Sequence, residues 1–105
     1  MVRTVEFIKL EEKILSEIYD LILSPNITSF EREKLLIAKN LLETDKNYLA
    51  VLRRLQITFL SRAVANELSP EFRKFYAKLP DYIELESKTE VGFAAQAFLA
   101  PPQPL

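Results

Sequence analysis

The chain has 105 residues, 49% of them hydrophobic and 28% charged, with a formal net charge of -1, a single glycine and no histidine, cysteine or tryptophan. That length fits one compact domain with a modest core, and the hydrophobic share excludes an intrinsically disordered chain. Without His or Cys there is no imidazole base, thiolate nucleophile, Cys/His zinc site or disulfide, and Gly92 alone writes neither a dinucleotide fingerprint nor a phosphate-cradling loop. No cofactor or metal is expected, and binding is favoured over catalysis.

The amino-terminal run Met1 to Glu6 does not read as a signal peptide, because acids interrupt the early apolar residues. From Val5 to Leu23 the apolar residues Phe7, Leu10, Ile14, Ile18, Leu21 and Ile22 recur at three and four positions. Glu6, Lys9, Lys13, Glu17 and Asp20 take the other face. This predicts a first helix of about five turns, ended by Ser24-Pro25-Asn26-Ile27. A second opens at Thr28-Ser29-Phe30-Glu31, where Thr and Glu can satisfy two orphan backbone donors reciprocally. Ile27 and Arg32 make no apolar staple across this start. Leu35, Leu36, Ala38, Leu41 and Leu42 form the expected buried stripe, and Glu43-Thr44-Asp45 the next break, with Thr44 or Asp45 capping a third helix. In that helix, expected to be the longest, Tyr48, Leu52, Leu55, Phe59 and Ala63 make one line that Val51, Leu60, Val64 and Leu68 widen.

Ser69-Pro70-Glu71 starts a fourth helix, with Ser69 as N-cap, Pro70 where its missing donor costs nothing and Glu71 favourable to the helix dipole. Phe72, Phe75, Tyr76 and Leu79 give it an aromatic face, and Pro80 is expected to close it after about three turns. Ser87-Lys88-Thr89-Glu90 can cap a further short helix through Phe98, while Ala100 to Leu105 reads as an extended end. The apolar stretch Val91 to Ala100 is about half the length of a spanning helix. Four helices joined by connections of roughly two to five residues imply an all-α, antiparallel up-down four-helix bundle over residues 1–80 with a tail over 81–105.

Charge is segregated along this plan. Residues 1–45 hold six Lys/Arg and nine Asp/Glu, residues 46–80 seven and two, and residues 81–105 one and four, giving -3, +5 and -3. The third and fourth helices are therefore the basic half, with Arg53, Arg54, Arg62, Arg73, Lys74 and Lys78 mostly off the apolar line. Such a surface suits an acidic protein, a nucleic acid or an anionic membrane face. The plainer alternative is a solvated face neutralised by the acidic first helix or tail. A pI near 5.5 and the absence of a reader motif weigh against nucleic acid. The acid pairs Glu11-Glu12, Glu31/Glu33 and Glu84/Glu86 are expected to be surface acids, since a bundle di-iron site wants Glu-x-x-His. Tyr19, Tyr48, Tyr76 and Tyr82 read as core rings with wet tips.

The runs Ile14 to Leu23, Glu31 to Glu43, Tyr48 to Leu55 and Asn66 to Tyr76 together resemble the enterocin A type immunity proteins, which protect producers of pediocin-like (class IIa) bacteriocins. The resemblance covers roughly residues 10–79, in the right order and with similar loops, and rests on helix-packing patterns rather than chemical signatures. It implies a non-enzymatic four-helix bundle in the cytoplasm of a Gram-positive bacterium, partly at the inner face of the membrane. It further implies recognition, from inside, of a bacteriocin bound to the membrane components of the mannose phosphotransferase system, with blockage of the pore. In the family the carboxy-terminal half discriminates between bacteriocins. That half is the basic one here, so Arg53, Arg54, Arg62, Arg73, Lys74 and Lys78 are the candidate partner-binding residues, with Tyr76 and Tyr82 as aromatic anchors. The small, apolar Val91–Ala100 segment and its prolines depart from the family pattern. This segment reads either as a strap over the third and fourth helices or as a partner-binding or interfacial segment. The competing function is a small helical adaptor or regulator whose basic half meets an acidic protein or nucleic acid.

Overall fold

The computed structural model describes residues 5–89 and 103–105. Four helices occupy almost all of this: α1 (Val5–Leu23), α2 (Ser29–Asp45), α3 (Tyr48–Val64) and α4 (Pro70–Thr89). No strand occurs among the described residues. Each helix packs on two neighbours, and α4 returns to α1 to close the ring. Glu71 at the start of α4 meets the loop after α1, and Lys78 farther along meets Glu17, so α1 and α4 run antiparallel.

The core is where the helical periodicity put it. Ile14 and Ile18 of α1, Leu35, Ala38 and Leu42 of α2, Leu52, Leu55 and Phe59 of α3, and Phe72 and Leu79 of α4 are fully or almost fully buried. Each large aliphatic or aromatic side chain so buried stabilises by roughly 1.5–3 kcal/mol relative to exposure. A chain of aromatic contacts crosses the bundle. Phe30 meets Phe59 edge-on at 5.5 Å, Phe59 meets Phe72 at 4.4 Å, and Phe72 meets Phe75 at 6.1 Å, spacings at which ring quadrupoles attract.

Without glycine at the helix ends, other residues close them. Thr28 caps α2 in a complete capping box: its hydroxyl accepts from Glu31 N at 3.1 Å and Glu31 Oε1 accepts from Thr28 N at 2.9 Å. The α2–α3 break falls two residues later than expected. Asp45 is still helical, Lys46 closes α2 in the left-handed region at φ 57°, and Asn47, not Thr44 or Asp45, caps α3 by accepting from Ala50 N at 3.2 Å. The end of α3 is a six-to-one closure: Glu67 N donates to Arg62 O at 2.8 Å and Asn66 N to Ala63 O at 3.1 Å. Asn66 supplies the left-handed residue at φ 58°, a conformation Asn tolerates better than most.

Pro80 does not end α4. The helix runs through it to Thr89, which makes α4 at 20 residues longer than α3 at 17. Pro80 stands on the exposed side of the helix, while Leu79, Tyr82 and Glu86 continue its buried side past that point. The short helix expected from Ser87 to Phe98 begins inside α4, and its remainder lies outside the described residues. Gln103 to Leu105, read as an extended end, is docked on the bundle. Arg54 Nε donates to Gln103 O at 3.1 Å, Leu105 N to Thr58 Oγ1 at 2.8 Å and Lys34 Nζ to Leu105 O at 3.1 Å, while the Leu105 side chain packs on the core.

Several side-chain placements differ from the sequence reading. Leu36, Leu60 and Val64, expected in the buried stripes, are 40%, 56% and 79% exposed. Each lies at the edge of its apolar line, turned from the enclosed side of the ring. The paired acids are not all on the surface: Glu12, Glu33 and Glu84 are exposed, but Glu11, Glu31 and Glu86 are buried. For Glu31 the reason is a set of buried donors, described next.

Candidate functional site

Two polar arrangements order the bundle. At one end, the buried Glu31 carboxylate serves two helix starts at once. Besides its capping box in α2, its Oε2 accepts from Ser69 N at 2.9 Å and its Oε1 from Ser69 Oγ at 2.7 Å, directly before α4. Ser69 in turn accepts from Phe72 N at 3.4 Å. A carboxylate between two helix N-termini is held by backbone donors and by both dipoles. Around it, Glu71 accepts from Ser24 Oγ at 2.6 Å and Asn26 Nδ2 at 2.8 Å, and these bonds, the Ser24 one first, hold its carboxyl below the ordinary range. Arg32 Nε donates to Ile22 O at 3.0 Å and the same guanidinium bonds Ser24 O, so the position lacking an apolar staple closes the end of α1 through charge.

The second arrangement joins α1 to α4. Lys78 Nζ lies 2.7 Å from Glu17 Oε2, and the Tyr82 hydroxyl donates to Glu17 Oε1. Burial first, and that hydrogen bond second, push the Tyr82 phenol well above its usual pKa. Only 5% of Tyr82 is exposed, and its ring packs at 6.4 Å from Phe75. Of the sequence candidates, Lys78 and Tyr82 are thus placed together on Glu17 and serve helix packing. Neutralisation of a basic residue by the acidic first helix takes place at Lys78.

The other candidates divide between two flanks of α3. On the α2 side, the Arg62 guanidinium lies 3.9 Å from the centroid of the Phe30 ring, a cation–π contact, and Arg54 holds the backbone carbonyls of Gln103 and Pro104. On the α4 side, the half-buried Tyr76 donates its hydroxyl to Gln56 O at 3.3 Å, and the exposed Arg73 sends one guanidinium nitrogen to Leu68 O at 3.3 Å. Burial raises the Tyr76 phenol above its ordinary value. Lys74 is exposed and sits beside Glu71, whose carboxyl it also favours electrostatically.

Helical geometry shows what the α3–α4 flank carries. At about 100° per residue, Arg53, Leu60 and Val64 lie within about 40° of one another and Ile57 borders them, one turn round from Gln56, where Tyr76 docks. Ile57, Leu60 and Val64 are exposed by 39%, 56% and 79%. Across the seam, Arg73 and Pro80 lie one turn either side of Tyr76 on α4, and both are exposed. The structure therefore brings Arg53, Arg73 and Tyr76 to one strip and adds Ile57, on which the sequence reading was silent, and Leu60 and Val64, which it counted as core. The signal for them was their phase: Leu60 and Val64 are about 80° and 120° from Leu52 at the centre of the buried line.

Among the described residues, no group of three acids, His or Cys converges as a metal site, and no helix is long and apolar enough to cross a membrane. The described helices thus form an all-α bundle with a basic and aliphatic strip on its second helical pair. The family model for the bacteriocin immunity protein family matches residues 9–84, from within α1 to near the end of α4. The chain belongs to the bacteriocin immunity protein family. No curated protein and no solved structure matches it.

Proposed function

We propose that the chain protects a cell from a pediocin-like bacteriocin by recognising, from the cytosolic side, the membrane component of the mannose phosphotransferase system to which the bacteriocin has bound, and by blocking the resulting pore. The match of residues 9–84 to the immunity family carries this reading. In it, partner choice belongs to the carboxy-terminal half, through Arg53, Arg73, Lys74 and Tyr76. These four are chosen among the candidates for their place, on the α3–α4 side of the basic half near the exposed Ile57, Leu60 and Val64, whereas Arg54, Arg62, Lys78 and Tyr82 face the tail, Phe30 and Glu17. The tail beyond α4 is a further contributor. The expected chemistry is docking, with arginines against acidic groups and Tyr76 as the rigid ring beside them.

The test is expression of the full chain in a bacteriocin-sensitive strain challenged with a panel of pediocin-like peptides. At least one peptide is expected to be tolerated well above the empty-vector level, with no change in tolerance to an unrelated pore-former. Equal killing of both strains by every peptide would remove the reading.

A further inference from the structure

We infer that the outer face of α3 is a docking surface for an anionic phospholipid bilayer. Helix α3 contains three arginines and no acidic residue, although acids make up 15 of the 105 residues of the chain. Its solvent side carries Ile57, Leu60 and Val64 in one line, with Arg53 at the end of that line and Arg73 beside it across the α4 seam. Aliphatic side chains exposed on a helix whose only charges are positive are the combination that partitions into the headgroup region of an anionic leaflet. The apolar groups enter the acyl boundary and the guanidinium groups meet lipid phosphates.

Shape favours a bilayer over an acidic peptide. Leu60 and Val64 project from a convex helix, whereas a peptide of similar chemistry needs a groove to bury its own apolar side. A depression of the surface on α2, between Ser29 and Asn40, is lined by residues of both charge signs. The docked Gln103–Leu105 segment meets α3 at Arg54 and Thr58, to the α2 side of this strip. A surface of this kind would hold the protein against the inner leaflet with α3 down. It does not depend on the immunity reading.

Flotation of the full chain with vesicles tests it. With equal parts phosphatidylglycerol and phosphatidylcholine at low salt, the protein is expected to float with the lipid, to be released as salt rises, and to ignore vesicles of phosphatidylcholine alone. Replacing Arg53 or Arg73 by Gln should each weaken partitioning about fivefold, the equivalent of one basic contact. The double change Leu60→Ser and Val64→Ser should abolish it, with helical circular dichroism retained. The matched change Leu36→Ser and Ile37→Ser on α2, at side chains exposed by 40% and 36%, should leave it intact. No flotation with the anionic vesicles, or equal loss from the α2 and α3 changes, overturns the inference. Flotation by a chain that fails to protect cells would overturn the immunity reading alone.

Discussion

The Glu31 junction and the α3–α4 strip both depart from the simple rule of apolar inside and charged outside, in opposite directions. At the junction a carboxylate 1% exposed receives hydrogen bonds from Thr28 N, Ser69 N and Ser69 Oγ and so ties the starts of α2 and α4 together. At the strip, Leu60 and Val64 remain in water beside arginines. The contrast separates architecture from recognition. A buried charge persists only when donors surround it, and those donors fix one geometry; exposed aliphatic groups contribute little to the fold and gain only when something covers them. Changes at the junction should therefore cost stability, and changes at the strip should cost function.

The largest effect is expected at the junction. Glu31→Ala leaves Ser69 N and its hydroxyl buried without their acceptor and removes half of the α2 capping box, for a loss of about 2–4 kcal/mol in chemical denaturation. A loss below about 0.5 kcal/mol, the level of an ordinary surface change, would mean that the two helix starts are held by packing alone.

Tyr82→Phe comes next, at about 1 kcal/mol near neutral pH, because one buried hydroxyl bond to Glu17 is lost while the ring is kept. The pH dependence has a definite sign. The folded-state pKa of Tyr82 is raised, so its contribution is complete below the unfolded phenol value of about 10 and is lost as pH climbs above it. The wild-type chain should lose stability in that alkaline range more steeply than the Phe variant; parallel curves would deny the Tyr82 hydroxyl this role. Glu71 works the other way. Its lowered pKa contributes stability above the ordinary carboxylate range that fades as pH falls, so Ser24→Ala should soften the acid side of the profile.

The residues differ in how much of this could be read from the sequence. The ring of helices was legible because Ile14, Ile18, Leu35, Leu52 and Phe72 repeat at helical spacing, and the capping box at Thr28 and the Ser69-Pro70 start are local signals that a few residues carry. Pro80 misled because its local rule concerns one missing donor, whereas Leu79, Tyr82 and Glu86 are all buried on the continuing helix. Glu31 showed its capping role but not its bonds to Ser69, a contact across 38 positions that no local pattern encodes. Leu60 and Val64 failed for a related reason. Periodicity says which residues share a side of a helix, but the width of the covered side depends on how the neighbours close around it.

A smaller effect is expected where the tail docks. Thr58→Val removes the acceptor for Leu105 N and should lower stability by about 0.5–1.5 kcal/mol. In nuclear relaxation measurements the Leu105 amide should become as mobile as a free chain end, while Thr58→Ser should keep it ordered. An amide equally mobile in the wild-type chain and both variants would contradict the docking. The smallest stability effect belongs to the strip and its border, where Arg73→Glu together with Lys74→Glu, both exposed, should change unfolding by about 0.5 kcal/mol or less for each site.

That last pair of substitutions gives the most direct test of the division between architecture and recognition. Wild-type chain and the Arg73→Glu, Lys74→Glu variant would be expressed to equal levels in a bacteriocin-sensitive strain, with matched helical content and melting behaviour confirmed on the purified proteins, and survival scored against the peptide the wild type resists best. The account predicts that the variant folds as well as the wild type and protects far less. Equal protection by the two would contradict it and move partner recognition away from the α3–α4 strip.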